Sequence, residues 1–234
     1  MAAIDTAVKA KDFSANPSEK DLRAFFDGSL SVTDSIDALI SRGMGYHVSI
    51  GAFSTAIQGG GAGTILDIDQ PEGVVSVPAN TTIRLVRVSV QCHVPLLAAD
   101  ADEAEILLAV DRANSWDNDG TFTTEGVFNL RTDLGGGTNS GPVQAASAFT
   151  ADMLAGGADP VLGLELARSV MTADSQTAAG VLWAKLDLLY EPKHPPFIVG
   201  PAAVYLYWGG TVATTGFAQV QFVAFPSGLV KSLA

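Results

Sequence analysis

From Tyr46 onward, apolar and polar positions alternate with a period of two, the spacing of a β-strand that turns one face to a core. Tyr46, Val48, Ile50 and Ala52 share one face against His47, Ser49 and Gly51. A glycine turn at 59–61 and a second short strand at 64–69 are predicted next. The clearest alternation sets Val86, Val88, Val90, Cys92 and Val94 against Arg87, Ser89, Gln91 and His93. Pro78-Ala79-Asn80 precede it and Pro95 is expected to end it, because proline cannot donate to a ladder. Ile106, Leu108 and Val110 continue the pattern against Glu105 and Asp111. Further strands are predicted over 122–130, 145–153 and 162–170, the last with Leu164 and Leu166 inward and Glu165 outward. In 182–190, Leu182, Ala184, Leu186, Leu188 and Tyr190 face inward, opposite Trp183, Lys185, Asp187 and Glu191. The glycine-rich segment 134–141 reads as a loop outside the core.

The last fifth of the chain has no Asp, Glu, Lys or Arg between Lys193 and Lys231. Val204, Leu206 and Trp208 alternate there with Ala203, Tyr205 and Tyr207, and 217–222 resumes the period after Gly209-Gly210-Thr211 and Thr214-Thr215-Gly216. The expected object is a hairpin closing a sandwich. A membrane-spanning helix would need about 20 continuous apolar residues, and Pro195, Pro196, Pro201, Gln219 and Gln221 break any such block.

Before Tyr46 the period is helical. Asn16, Pro17 and Glu19 mark a helix start, Leu22, Phe25 and Phe26 form a stripe, and Gly28 stops it. Ser31 and Asp34 start a second helix with Val32, Ile36, Leu39 and Ile40 on one face and Gly43 as its stop. The fold expected is all-β, an antiparallel, jelly-roll-like sandwich of nine or ten strands. Residues 1–43 would form an N-terminal arm with two short amphipathic helices, and residues 44–234 the β-domain.

Composition changes the picture in one respect. Charged residues make up only 16% of 234 residues and hydrophobic ones 47%, against roughly 25% charged in an average soluble domain. Uncharged surface on that scale is often covered by a neighbouring subunit, although Ser, Thr, Asn and Gly can also keep an exposed face wet without charge. The net charge of −12, without any run of Lys or Arg, disfavours direct nucleic-acid binding, which relies on clustered cations. Residues 1–16 carry Asp5, Lys9, Lys11 and Asp12 and no apolar core, so no secretory leader is expected and the chain would be made in a cytoplasm.

No constellation declares a catalytic chemistry. The acidic segment 100–105 and the loop Asp117-Asn118-Asp119-Gly120 hold enough carboxylates to suggest calcium, but the loop lacks the glutamate that completes an EF-hand, and solvated turns are the expected outcome. His47, His93 and His194 are isolated, and Cys92 is a lone thiol expected in the core. No nucleophile elbow, phosphate loop or dinucleotide fingerprint occurs. No catalytic, cofactor or metal residue is therefore assigned.

The helical arm, the run of antiparallel strands and the stretch Gly200-Pro201…Trp208-Gly209-Gly210-Thr211…Thr215-Gly216-Phe217-Ala218-Gln219-Val220-Gln221-Phe222 resemble jelly-roll capsid and virion-surface proteins of viruses, including bacteriophages. The resemblance spans residues 44–226 and implies two packed antiparallel sheets, many copies forming a shell, an arm that ties neighbours together, and no enzymatic role. Its partners would be copies of itself and other virion proteins. The arm lacks the basic character of many coats, which fits a shell near an internal membrane, an outer layer or a fibre better than genome contact. The alternative is a binding module for glycans or a receptor, using Trp116, Trp183, Tyr205, Tyr207 or Trp208 in a groove.

Overall fold

The structure is a computed structural model, and it describes residues 35–59, 66–96, 101–113, 121–138, 141–150, 153, 160–174, 182–211 and 213–229. The chain divides into two units, Met1–Ala38 and Leu39–Ala234. The predicted helix over 16–28 lies outside the described residues. A short helix, α1 (Ser35–Leu39), continues as a wider turn over Ile40–Met44. Gly43 ends that turn at φ 80°, the left-handed conformation expected of a glycine stop. The Gly43 carbonyl accepts from Asn129 Nδ2 at 2.6 Å and the Ser41 carbonyl from Arg131 Nη1 at 2.9 Å. Two carbonyls left over at a helix end are thus satisfied by side chains.

Thirteen strands follow among the described residues. They are β1 (Gly45–Ile50), β2 (Ile57–Gln58), β3 (Gly73–Val77), β4 (Thr81–Leu96), β5 (Ala101–Asp111), β6 (Thr123–Asn129) and β7 (Gly136–Thr138), then β8 (Gln144–Ser147), β9 (Leu162–Asp174), β10 (Leu182–Tyr190), β11 (Ile198–Val199), β12 (Ala202–Gly210) and β13 (Thr215–Pro226). Every pairing is antiparallel, and the main path runs β10-β4-β13-β1-β6-β8-β3-β12-β5-β9. With the short β2 and β11 and the inserted β6–β8 set aside, the remaining eight strands pair as nested hairpins. The first pairs with the last (β1 with β13), the second with the seventh (β3 with β12), the third with the sixth (β4 with β10) and the fourth with the fifth (β5 with β9). These pairs alternate between a first sheet, β10-β4-β13-β1, and a second, β3-β12-β5-β9.

The inserted strands join the two sheets along one side. Val127 in β6 pairs with β1 while Thr123–Glu125 pair with β8, which in turn pairs with β3. The change of partner falls at Gly126, where a Cβ would come within 2.5 Å of the Phe128 ring. On the other side β9 and β10 touch, so the sheet is nearly closed into a barrel.

Between the sheets lies the main core. Val48, Ile50, Ile83, Leu85, Val88, Val90, Cys92 and Val94 face Ile106, Leu108, Val110, Val204, Leu206 and Trp208 within it, all buried. Burying each such side chain contributes about 1.5–3 kcal/mol. A second apolar cluster covers the outer side of the second sheet. Val74, Leu107, Ala109, Ala203, Tyr205 and Tyr207 pack there against Phe149 and Met153 from the β8–β9 segment, with Leu66, Phe122 and Leu162 at its margin. The second sheet is therefore covered on both sides over β3, β12 and β5, with its edge strand β9 open outward, and the first is not.

Several expectations are corrected. The stretch 200–226 is not a hairpin: β12 belongs to the second sheet and β13 to the first, and they face each other across the core. All nine residues of β12 are buried, which is why its uncharged run extends to both parities. The alternation in β4 is interrupted between Leu85 and Arg87, where β13 skips Val86. This bulge leaves Val86 half-buried and lets Ile83 and Leu85 point inward as well as Val88 to Val94. Pro95 does not end β4, since it pairs with Trp183. Of the strand expected at 64–69, residues 64–65 lie outside the described residues and 66–69 form no strand, the chain turning where the Gln70 N–H donates to the Asp67 carbonyl. β8 stops at Ser147 well short of 153, and Gly136–Thr138 in the expected loop pairs with β6. Thirteen strands stand among the described residues where nine or ten were expected: short β2, β7 and β11 carry no readable period, and β3, buried at all five positions, was not anticipated, while the strand expected at 64–69 does not form over 66–69.

Candidate interaction surface

The first sheet leaves one face to solvent, and the register lays it out as four rows. Across β10, β4, β13, β1 and β6 they read Lys185–His93–Thr215, Asp187–Gln91–Phe217, Leu189–Ser89–Gln219–Ser49 and Arg87–Gln221–His47–Phe128. Strand periodicity forces this composition, because the intervening positions carry the Val88, Val90, Val220 and Leu188 side chains of the core. The charged members are paired at the rim. Lys185 Nζ lies 2.7 Å from Asp187 Oδ2, and Arg87 Nε lies 3.1 Å from Glu191 Oε1. What remains in the middle is amide, hydroxyl, imidazole and ring.

Each end of this face carries an aromatic cluster. Phe53, on the turn after β1, is 77% exposed and meets His93 edge-on at 5.6 Å and Phe217 at 6.4 Å. Phe53 and His93, with Ala56 and Thr215, bound an open cavity of about 340 Å³. At the other end His47 stacks on Phe128 at 5.6 Å. Phe53 had no sequence signal and Phe217 was legible only as the first position of the 217–222 alternation, since their meeting depends on the turn at 52–55.

Two of the three histidines thus lie on this face with β13 between their strands, and His194 is exposed in the loop before Pro195. None is brought to another. Among the described residues no group of three or more His, Cys, Asp or Glu is placed to hold a metal ion. Cys92 is buried, as expected, and burial pushes its thiol up, with Glu72 and Asp187 adding to the effect. Within the acidic segment, 101–105 is not a solvated turn but part of β5. Glu105 is nearly buried and ion-paired to Arg168, which also binds Glu165 at 2.8 Å. A carboxylate held by a guanidinium on the flank of a sheet is poorly placed to gather ligands around calcium. The loop at 117–120 lies outside the described residues.

Three of the five aromatics expected in a binding groove lie in the core instead, and the side chain of Trp183 lies outside the described ones. Tyr205, Tyr207 and Trp208 are fully buried. Trp208 donates its Nε1–H to the Ile57 carbonyl at 3.0 Å, and its backbone N–H reaches Glu72 Oε2 at 2.7 Å. Tyr207 donates to the Ile68 carbonyl at 3.0 Å. Trp116 lies outside the described residues. A second cavity of about 250 Å³, bounded by Gln58, Asp67, Gln70, Glu72 and Thr150, sits beside the second cluster. Two carboxylates and two amides give it a polar, acidic lining.

No helix among the described residues is long and apolar enough to cross a membrane. Comparison with known protein families finds no family that matches this chain, and comparison with curated proteins finds no match either.

Proposed function

We propose that the chain is a structural virion protein, a capsid or outer-shell subunit whose β-domain is a jelly roll and whose partners are copies of itself and other virion proteins. One observation carries this reading. Eight strands paired first-to-last in nested hairpins, with successive pairs alternating between two sheets, form the ribbon that rolls into the double Greek key of viral coat and lectin domains. The neutral open face of the first sheet supports assembly, because a monomer of net charge −12 has acid to spare for such a surface and does not place it there. In this reading residues 1–43 are a two-helix arm that ties neighbouring subunits together. The acidic balance keeps the protein off the genome, and its site of action is the virion after synthesis in a host cytoplasm.

The decisive measurement is native mass by light scattering of the purified chain, followed by electron microscopy. Closed or periodic assemblies of the chain, alone or with co-expressed shell partners, are the expected result. A compact monomer under all these conditions overturns the reading. Removing residues 1–34 is expected to leave the cooperative unfolding of the β-domain intact and to weaken assembly.

A glycan- or receptor-binding module on the same scaffold is the second reading, and the exposed Phe53 beside His93 and the cavity they border favour it. Binding to a glycan array by a monodisperse monomer, lost on Phe53→Ala, would select it.

A further inference from the structure

Resting on the self-assembly reading, we infer that the open face of the first sheet is a two-fold interface with a second copy of this chain, with Gln219 near its axis. The two sheets are treated differently by the fold. The outer side of the second is covered over β3, β12 and β5 by an apolar layer that its own loops help to form, which leaves the edge strand β9 open, and the outer side of the first carries four rows of side chains that reach solvent.

Charge identifies the occupant. Lys185 and Arg87 balance Asp187 and Glu191 on this face, so the excess acid of a chain at −12 lies elsewhere. A second, equally acidic copy meets no net like charge here, whereas over most of the remaining surface it would.

The chemistry of the middle rows fits a two-fold axis in particular. In an isologous interface each residue near the axis faces its own copy, so a charged side chain there meets its like. Amides and hydroxyls carry donors and acceptors together and can bond to themselves. Gln219, Gln221, Gln91, Ser49 and Ser89 supply that self-complementary set, and Gln219 lies on β13, the central strand of the five. Leu189, 58% exposed, and the Phe217 ring flank them as apolar contacts. Two such faces packed at the usual sheet separation of about 10 Å would bury the amide rows without leaving an ion unpaired.

The test uses Gln219→Lys and Gln219→Glu, with Ser49→Lys and Ser49→Glu as a second pair, because both positions are exposed and the substitutions are compatible with folding. Sedimentation velocity from low to high micromolar is expected to show wild-type self-association. Each single variant should weaken it by at least about tenfold, since like charges juxtaposed in an interface cost several kcal/mol. Mixing the Lys with the Glu variant should restore pairing as a mixed dimer, with unchanged circular dichroism and melting throughout. Association of the variants at wild-type strength overturns this interface while leaving self-assembly standing through another surface. Variants that stay apart when mixed overturn the like-to-like geometry. A wild-type chain that remains monomeric and assembles only with a different virion protein overturns the second copy as the occupant.

Discussion

Two tyrosines two residues apart on β12 have opposite hydrogen-bonding situations in the same apolar cluster. The Tyr207 hydroxyl has the Ile68 carbonyl, and the Tyr205 hydroxyl is buried without a hydrogen-bond partner. An unmade buried hydrogen bond costs about 1–3 kcal/mol, and a made one contributes about 0.5–1.5. Tyr205→Phe should therefore leave stability unchanged or raise it, whereas Tyr207→Phe should lower it by about 1 kcal/mol in urea unfolding. On β4 the same logic separates Val90 from its neighbour. Val90→Ala opens a cavity in the main core and should cost about 1–3 kcal/mol, against less than about 0.5 for Ser89→Ala on the open face of the free subunit. Equal costs at the two positions would mean that the open face is buried as deeply as the core.

At the scale of elements, β12 shows how far the pattern could be read. The β-character of 202–210 and the inward set Val204, Leu206 and Trp208 were legible from periodicity. The error was its partner. A run buried on both faces looks like a hairpin arm when its neighbours are inferred from sequence proximity, and non-local pairing leaves no mark in the local period. The bulge at Val86 was hidden for a related reason, because Val86, Val88 and Val90 keep perfect alternation while the backbone slips one residue at Leu85–Arg87. The polar face of β4 was legible from its own residues, whereas the rows that make it a surface required the register. β12 also shows a side chain completing a ladder: its pairing with β3 ends at Leu206–Gly73, and Glu72 then takes the Trp208 N–H. Glu72→Gln, which keeps an acceptor, should be milder than Glu72→Ala, which strands a buried donor and should cost about 1–3 kcal/mol in thermal or urea unfolding.

For the molecule as a whole, the buried weak acids set an alkaline limit. Burial pushes the pKa values of Tyr205, Tyr207 and Cys92 up and so suppresses their ionisation, while in the unfolded chain phenols titrate at about 10 and thiols at about 8.5. Raised folded values mean that their contribution is complete below those unfolded values and is lost as pH climbs past them, because only the unfolded chain then releases protons. The urea midpoint should hold from neutral pH to about 8 and fall above about 9, less steeply in Tyr205→Phe.

The nesting of the strands has a temporal consequence. β1 finds its β13 partner, Gly45 opposite Val223, only after Thr215–Pro226 has left the ribosome, and β3 must likewise wait for β12. Among the four nested pairs the one that can close earliest is the innermost, β5 with β9, after the inserted β6–β8 have already offered partners to β1 and β3. Pairings of such long sequence separation form slowly, so synthesis leaves β1 and β3 each with one edge unpaired, beyond their contacts with β6 and β8, and β4 waiting for β10 and β13. A ribosome-bound chain truncated before Ala202 should remain protease-sensitive in β1 and β3, and protection should appear abruptly once β13 emerges.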